Sequence, residues 1–412
     1  MSVPNSDSGL RVVALLCAAE AFGMAGFSTY PALLAPLREG WGMSGAEAGF
    51  IGGVFFAGYM AAVPLLSALT DRVDARRVYF FSTLLAAAGT TGFGLFAQGV
   101  ASAAAFQALA GAGLAGTYMP GLKALTDRVG GPLQGRFIAF YTSTFGIGAS
   151  ASLVLAGALE PALDWRWAFI LSGAGPLAAG LLVLGALEPM TPERPAHAPA
   201  HLLDPRPVLR DRAVLGYVLG YAAHCWELFG LRAWLVAFIA FAYALAPHAD
   251  IPWGPAAAAA AINLLGIPAS ILGNEIAGRV GRRRYIVTVM ACSALLAWAA
   301  GFAAAVSWGL TLFLLSLHFV AVMATRRRSP PAWWRPRRPG NAAPPWRSIR
   351  FWASAAASSA PSSSAWCSTA WAARTTRRPG ASPSAASAWL APAARWRSGL
   401  PNERSGHEKN RR

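Results

Sequence analysis

The sequence lacks the short motifs that identify many nucleotide-dependent and hydrolytic enzymes. It contains no glycine-rich phosphate loop ending in Lys-Ser or Lys-Thr, no HExxH zinc motif and no convincing nucleophile elbow. The missing nucleotide site argues against an ATP-driven pump. We therefore expect a protein that is not an enzyme and that needs no cofactor.

Cysteine is scarce too, with four residues in 412. Three fall in separate hydrophobic runs and the fourth near the C-terminus, without the C-x-x-C spacing of a metal or redox site. They are expected to pack as small hydrophobic residues. His197 and His201 are four residues apart, but the prolines around them disfavour the helix that a metal site would need. No metal site is predicted.

The last part of the chain, residues 325–412, lacks aliphatic side chains. Among Leu, Ile and Val it has only Ile349, Leu390 and Leu400, yet it holds eight of the 16 tryptophans and 17 of the 35 basic residues. Residues 1–324 carry 18 basic against 16 acidic groups, so the net charge of +17 belongs almost entirely to the tail. This composition predicts a disordered, basic, Trp/Pro/Ser-rich tail.

Two origins of the tail remain open. A frameshift near residue 324 would explain the tryptophans, because their single codon TGG, read in a shifted frame, contributes to Gly, Leu, Met or Val codons. A genuine cytoplasmic arm that binds anionic lipid or nucleic acid is the alternative. We favour the frameshift and therefore expect no nucleic-acid partner.

Residues 1–324 contain long hydrophobic runs instead of the alternating pattern of a soluble core. Crossing about 30 Å of hydrocarbon takes about 20 apolar residues in a helix. Ten runs of roughly this length follow one another, at 11–34, 46–69, 78–98, 100–122, 135–159, 165–187, 213–240, 254–277, 285–306 and 308–324. They predict an all-α polytopic membrane protein embedded in the lipid bilayer.

The charges between these runs predict the topology. With the N-terminus inside, fifteen Lys and Arg residues lie in the cytoplasm, Arg38 and Arg166 lie outside, and Arg232 lies within a helix. Such a bias follows the positive-inside rule. We expect a multi-pass protein of a bacterial inner membrane, with the N-terminus and the tail cytoplasmic.

The runs divide into two groups. A Pro-rich polar stretch at 188–212 separates six runs in residues 1–187 from four runs in 213–324. "LTDRVDARRVY" at 69–79 and "IAGRVGRRRYI" at 276–286 align without gaps at an offset of 207 residues. Each lies between the second and third runs of its group, which predicts two related helical halves joined by a cytoplasmic linker.

These residues resemble the major facilitator superfamily of secondary transporters. "SALTDRVDARR" matches the superfamily signature after the second helix, with Ser67 and Asp74 in place of its two glycines. "AGTYMPGLKALTDR" and "DWRWAF" also look like bacterial members. The resemblance implies two six-helix halves, of which about ten transmembrane helices are present and the last two are replaced by the tail.

The resemblance also implies a conformational gate that stabilises the outward-facing state. Asp71 could hold a neighbouring helix through its dipole, while arginines pair with carboxylates or helix C-termini. The second copy has Gly278 where the acid would fall. The candidate gate residues are Asp71, Arg72, Arg76, Arg77, Arg279, Arg283 and Arg284.

Two carboxylates lie well inside the runs, Glu20 and Glu227, each in the first run of its half. Such groups usually face a cavity or a partner, and they can exchange protons when access alternates between the two sides. His224 lies on the face of Glu227 and could relay protons. Arg232 is about 140° around that helix, so its partner would be Glu20, an anionic substrate or water. These four are candidates for proton coupling or substrate binding, or else join the helices.

Four more residues are candidates for lining a cavity. Tyr30, Tyr118 and Trp226 could do so, although aromatic residues at such positions more often serve in packing or as interfacial anchors. Gln107 stands where superfamily members often carry an arginine. The fifth run lacks the proline of the Gly-Pro motif of drug/proton antiporters, which argues against drug efflux.

The expected function is proton-coupled secondary transport of a small solute by alternating access, by a monomer. The alternatives are a membrane sensor or scaffold that does not transport, and an inactive truncated transporter.

Overall fold

The computed structural model describes residues 6–130, 133–192, 212–246 and 251–324. Most of the predicted linker, from residue 193 to 211, and the whole predicted tail, 325–412, lie outside the described residues. The helices are α1 Ser6–Gly23, α2 Thr29–Ala32, α3 Leu34–Gly40, α4 Gly45–Leu69, α5 Ala75–Phe96, α6 Val100–Arg128, α7 Gln134–Leu163, α8 Trp165–Ala186, α9 Arg212–Ala244, α10 Pro255–Leu264, α11 Gly266–Val280, α12 Arg282–Ala303 and α13 Trp308–Ala324.

The prediction of an all-α polytopic membrane protein is confirmed. Within the described ranges there are eight helices that are long and apolar enough to cross a membrane, counting α10 and α11 together. Two further helices are not among the eight. α1, in the first predicted run, holds three charged residues, and α13, the last run, is short, with 17 residues. The helices follow the ten hydrophobic runs in order.

Two of the predicted runs are broken instead of continuous. The first is interrupted after Gly23, where Gly26 comes so close to Thr90 that a Cβ atom would lie 2.9 Å from its side chain. The eighth breaks at Leu265, because Pro268 has no N–H to donate to the carbonyl of Leu264. Gaps in the helical ladder are tolerated in a membrane where neighbouring helices surround them.

The first six runs pack closely through small residues. Gly111 of α6 lies against the backbone of Phe55 in α4, and Gly113 lies against the backbone of Ala86 in α5. A Cβ atom at either glycine would collide with that backbone, so the helices could not approach as they do. α8 completes this half by packing on α5, α1 and α7.

The second half contains α9 to α13 and meets the first half mainly through α10 on α7 and α9 on α2. Its core is built around Ile239, Ala259, Phe319 and Val322. The described spanning segments alternate in direction; α7 and the α10–α11 segment, for example, run oppositely, since Gly157 lies against Ala256 and Gly146 against Ile267. The α4–α5 and α11–α12 connections consequently lie at the same end of the bundle, which we call the arginine end.

Candidate functional site

Asp74 organises the arginine end of the first half. Its carboxylate caps α5 by accepting the backbone N–H of Arg76 (3.0 Å), and it also accepts the N–H of Met190 beyond α8 (3.0 Å). Arg76 and Arg128 lie 3.7 and 3.5 Å from it, and all three side chains are at most 14% exposed. One carboxylate thus joins the ends of α5, α6 and α8.

The two arginines bind the C-terminal end of α8 as well. Arg76 Nη1 donates to the carbonyls of Leu184 (3.1 Å) and Leu187 (2.8 Å), and Arg128 Nη2 donates to that of Glu188 (2.7 Å). Cations at a helix C-terminus are favoured by the exposed carbonyls and the helix dipole. The segment that leads into the linker is therefore tied to the signature sequence.

The other candidate gate residues are more open. Asp71 is half-exposed in the turn after α4, while Arg72 and Arg77 are exposed. At the second connection Arg279, Arg283 and Arg284 are all exposed. Their gating role stays a prediction. Sequence reasoning treated Asp74 as a departure from a glycine and missed Arg128, although an aspartate just before a helix is a strong N-cap signal.

A cavity of about 130 Å³ lies between the two halves. It extends from Gly135 in the first turn of α7, at the arginine end, to Gly146 three turns further on. Between these two glycines α7 also contributes Ile138, Ala139, Thr142 and Ser143. The remaining walls come from α6, α9, α10, α11 and α13, through Tyr118, Arg232, Asn263, Gly266, Ile267, Ser270 and Met323. Both halves thus contribute to one central space.

Arg232 and Asn263 close the inner end of this cavity. Arg232 Nη2 donates to Asn263 Oδ1 (3.1 Å), and Asn263 Nδ2 donates across to the first half, to Ser150 Oγ (2.9 Å) and Gly146 O (3.3 Å). Beyond them lies a gap of only about 10 Å³, which holds one water at most. Sequence reasoning missed Asn263 because a lone amide in an alanine-rich run carries no motif.

Glu20 lies in the core of the first half and does not line this cavity. It is 1% exposed, and its Oε2 accepts the hydroxyl of Tyr141 (2.9 Å), which also lies 3.1 Å from the carbonyl oxygen of Tyr118. Among the described residues, Glu20 Oε1 and the Tyr79 hydroxyl have no hydrogen-bond partner. Tyr118 thus stands between this buried carboxyl group and the cavity.

Glu227 belongs to a second polar cluster, inside the second half. The Ser293 hydroxyl of α12 donates to Glu227 Oε1, and Ser293 Oγ lies 3.1 Å from His318 Nδ1 of α13. Ser293 thus connects Glu227 with His318, and the tautomer of the imidazole sets which group donates in the second contact. His224, the predicted relay, is half-buried one turn before Glu227.

Of the four predicted lining residues, Tyr118 alone lines either cavity in the described part of the chain. Tyr30 is buried and donates its hydroxyl to the Ala48 carbonyl (2.8 Å). Gln107 is buried within α6, and Trp226 is 42% exposed. Their positions follow from helix packing, which the sequence pattern does not determine.

The described residues contain no group of three or more His, Cys, Asp and Glu side chains that could hold a metal ion. The polar side chains that line the cavity carry guanidinium, amide and hydroxyl groups.

Comparison with known proteins adds a family. The sequence profile of the Major Facilitator Superfamily matches residues 15–334. The niacin transporter NiaP of Acinetobacter baylyi is 26% identical over 141 residues, which are 34% of this chain and 32% of that protein. The chain thus matches about a third of the length of this curated relative.

Solved structures show the same fold. A bacterial homologue of the human lysosomal transporter Spinster, inward-facing and unoccupied, superposes with a TM-score of 0.66 at 14% identity, covering 87% of this chain and 82% of that one. For its occupied form the TM-score is 0.62 at 16% identity, with 76% and 72% covered. Since the superfamily profile covers well over half of the sequence and the fold agrees, this chain belongs to the Major Facilitator Superfamily and is a multi-pass membrane protein.

Proposed function

We propose that this protein is a secondary active transporter that moves a small solute by alternating access through the central cavity. The observation that carries the proposal is the shared cavity, lined from both halves and closed at Arg232 and Asn263. Because Asn263 bonds across the halves to Ser150, opening the closed end requires those bonds to break. Rocking of one half against the other would do this.

The arginine end is proposed to be cytoplasmic. Arginines of both connections lie there, whereas Arg38 and Arg166 lie at the opposite end, as the positive-inside rule requires. The cavity would then open inward, in a bacterial inner membrane, with the N-terminus and the tail in the cytoplasm. The network of Asp74, Arg76 and Arg128 would hold the first half together, while Asp71, Arg72 and Arg77 meet the second half in the outward-facing state.

Proton coupling is assigned to the Glu227 cluster. Glu227, Ser293 and His318 link three helices of the second half through groups that can carry a proton. Glu20 and Tyr141 form the second candidate, which contacts the cavity wall through Tyr118. His224 is a further relay candidate one turn away on α9.

The test uses purified protein in proteoliposomes with an imposed pH gradient and a panel of radiolabelled solutes. Wild-type protein should accumulate its substrate only while the gradient lasts, and a protonophore should abolish accumulation. Glu227→Gln should keep exchange of substrate across the membrane but lose pH-driven accumulation. Glu47→Gln is the matched control, because Glu47 lies in an exposed capping box at the opposite end.

Two outcomes would contradict parts of this proposal. An unchanged proton dependence in Glu227→Gln removes that residue from coupling, and Glu20→Gln then tests the other carboxyl group. A wild-type protein that inserts and folds but moves no solute favours the sensor or scaffold.

An inactive product is favoured by one specific observation. α12 exposes Leu295, Trp298 and Phe302 by 72%, 73% and 64%, and only 17% of its apolar span is buried against 61% for α5, as expected for a half without its last two helices. We infer a frameshift near residue 324, and reading the gene in all three frames tests it. If no shifted frame encodes two further hydrophobic helices, the frameshift is wrong and the tail is a genuine basic arm.

A further inference from the structure

The charge of the central cavity indicates what it binds. Among the described residues that line it, Arg232 is the sole charged side chain. The hydroxyl groups of Thr142 and Ser143 are directed to the carbonyl of Ala139, at 3.1 and 2.8 Å. The strong hydrogen-bond donor in the cavity is therefore the Arg232 guanidinium, which attracts an anion and repels a cation.

Arg232 is held in a position where a ligand can replace Asn263 as its hydrogen-bond acceptor. Its Cζ lies 5.3 Å from the ring centre of Phe145 and 5.8 Å from that of Phe319, within the range of cation–π contacts. The two rings restrict the guanidinium group without neutralising it. Asn263, which accepts a hydrogen bond from Nη2, is a neutral amide, and a carboxylate is a stronger acceptor that binds arginine through two parallel bonds.

The rest of the wall limits the size and polarity of the ligand. A volume of about 130 Å³ has room for on the order of ten water-sized groups. Ile138, Ile267 and Met323 line the cavity together with the ring of Tyr118. This surface suits one flat apolar ring.

We infer that the substrate is a small organic monocarboxylate with a single aromatic ring, bound through its carboxylate to Arg232 in place of Asn263. The inference rests on the proposed transport function and names its substrate class. When the anion binds, Asn263 loses the contact that orients its amide, which weakens its bonds to Ser150 and Gly146 across the halves.

The inference is tested by binding to the purified full chain, measured from the concentration dependence of its thermal stabilisation. Benzoate and nicotinate are compared with benzamide and nicotinamide, which keep the ring and lose the charge. Wild-type protein should prefer each acid over its amide by about 10- to 100-fold, the range for a hydrogen bond to a charged group. Arg232→Gln should lose this preference, and Arg232→Lys should retain part of it.

Two further variants guard against a folding artefact. Arg166→Gln removes a half-exposed arginine at the opposite end and should bind like wild type. Asn263→Asp keeps Arg232 but gives it a permanent carboxylate partner, so acids should bind at least about tenfold more weakly while amides bind unchanged.

Equal binding of acid and amide by wild type, or a preserved acid preference in Arg232→Gln, overturns the assignment. The outcome is separable from transport itself. If other solutes cross the membrane while carboxylates do not bind, the substrate class alone is wrong. If carboxylates bind with the expected preference but no solute crosses, the transport proposal fails and the binding site stands.

Discussion

The two connections that carry the repeated sequence are held in different ways. At the offset of 207 residues Asp74 aligns with Gly281, and each is the residue before the third helix of its half. Asp74 binds two arginines and two backbone N–H groups, whereas Gly281 turns the chain with a φ of +95°. A repeated row of arginines therefore becomes a network only where an acid lies among them.

α5 and α12, the third spanning helices of the two halves, differ as well. α5 is enclosed by α6 and α8, and its Phe80 and Thr91 lie against Gly180 and Gly173 of α8. The residues of α12 at the same offset are Val287 and Trp298, which are 64% and 73% exposed. In the described part of the chain, α12 has no neighbour in the place that α8 takes beside α5. These contacts with α8 make α5 the more closely packed of the two helices.

Removing the acid should have the largest effect. Asp74→Ala leaves two largely buried arginines without their carboxylate and α5 without its cap, so we expect a loss of about 2–3 kcal/mol of folding free energy. The measurement is thermal or denaturant unfolding of the purified protein in detergent. Asp127→Ala is the control, since its pair with Lys123 is about 30% exposed and should contribute less than about 1 kcal/mol. Equal losses in the two variants would show that Asp74 is an ordinary surface charge.

A smaller effect is expected at the second connection. Gly281→Ala places a side chain on a left-handed residue and should cost about 1 kcal/mol, although nothing lies within 4 Å of the added Cβ. Gly278→Ala, three residues earlier, is inside α11 with equally open space and should be neutral or stabilising by up to about 1 kcal/mol. Because neither added Cβ atom meets a neighbour, the difference in unfolding free energy between the two variants reports the backbone conformation and not side-chain packing. If both stabilise the protein alike, Gly281 is not needed for the turn.

The elements of the fold could be predicted from the sequence because each helix carries its own hydrophobic run. The first break could not, since it depends on how closely Gly26 packs on Thr90, whereas Pro268 marks the position of the second in the sequence. The partners of predicted site residues were missed because they too depend on contacts between distant parts of the chain. Ser293 and His318 are 66 and 91 residues from Glu227 along the chain, and no spacing rule connects residues on three different helices.

The site residues that could be chosen from sequence were those whose charge is costly in a membrane. Glu20, Glu227 and Arg232 are of this kind, and the structure gives each a buried or half-buried position with a hydrogen-bond partner. Neutral partners such as Tyr141 and Asn263 do not stand out in a sequence. Asp74 did stand out, but the comparison with the signature glycine concealed its role as a helix cap.

The smallest change in stability is expected for Asp71, which aligns with Gly278 in the second connection. Asp71 is half-exposed, so Asp71→Asn should alter the unfolding free energy by less than about 0.5 kcal/mol. If it also binds the second half in the outward-facing state, losing about 1 kcal/mol of that contact should slow transport about fivefold. Uptake rate per folded molecule is the measurement, and Asp127→Asn at the same end is the control. Normal kinetics in Asp71→Asn would remove it from the gate, leaving the difference between the halves to the cap at Asp74 alone.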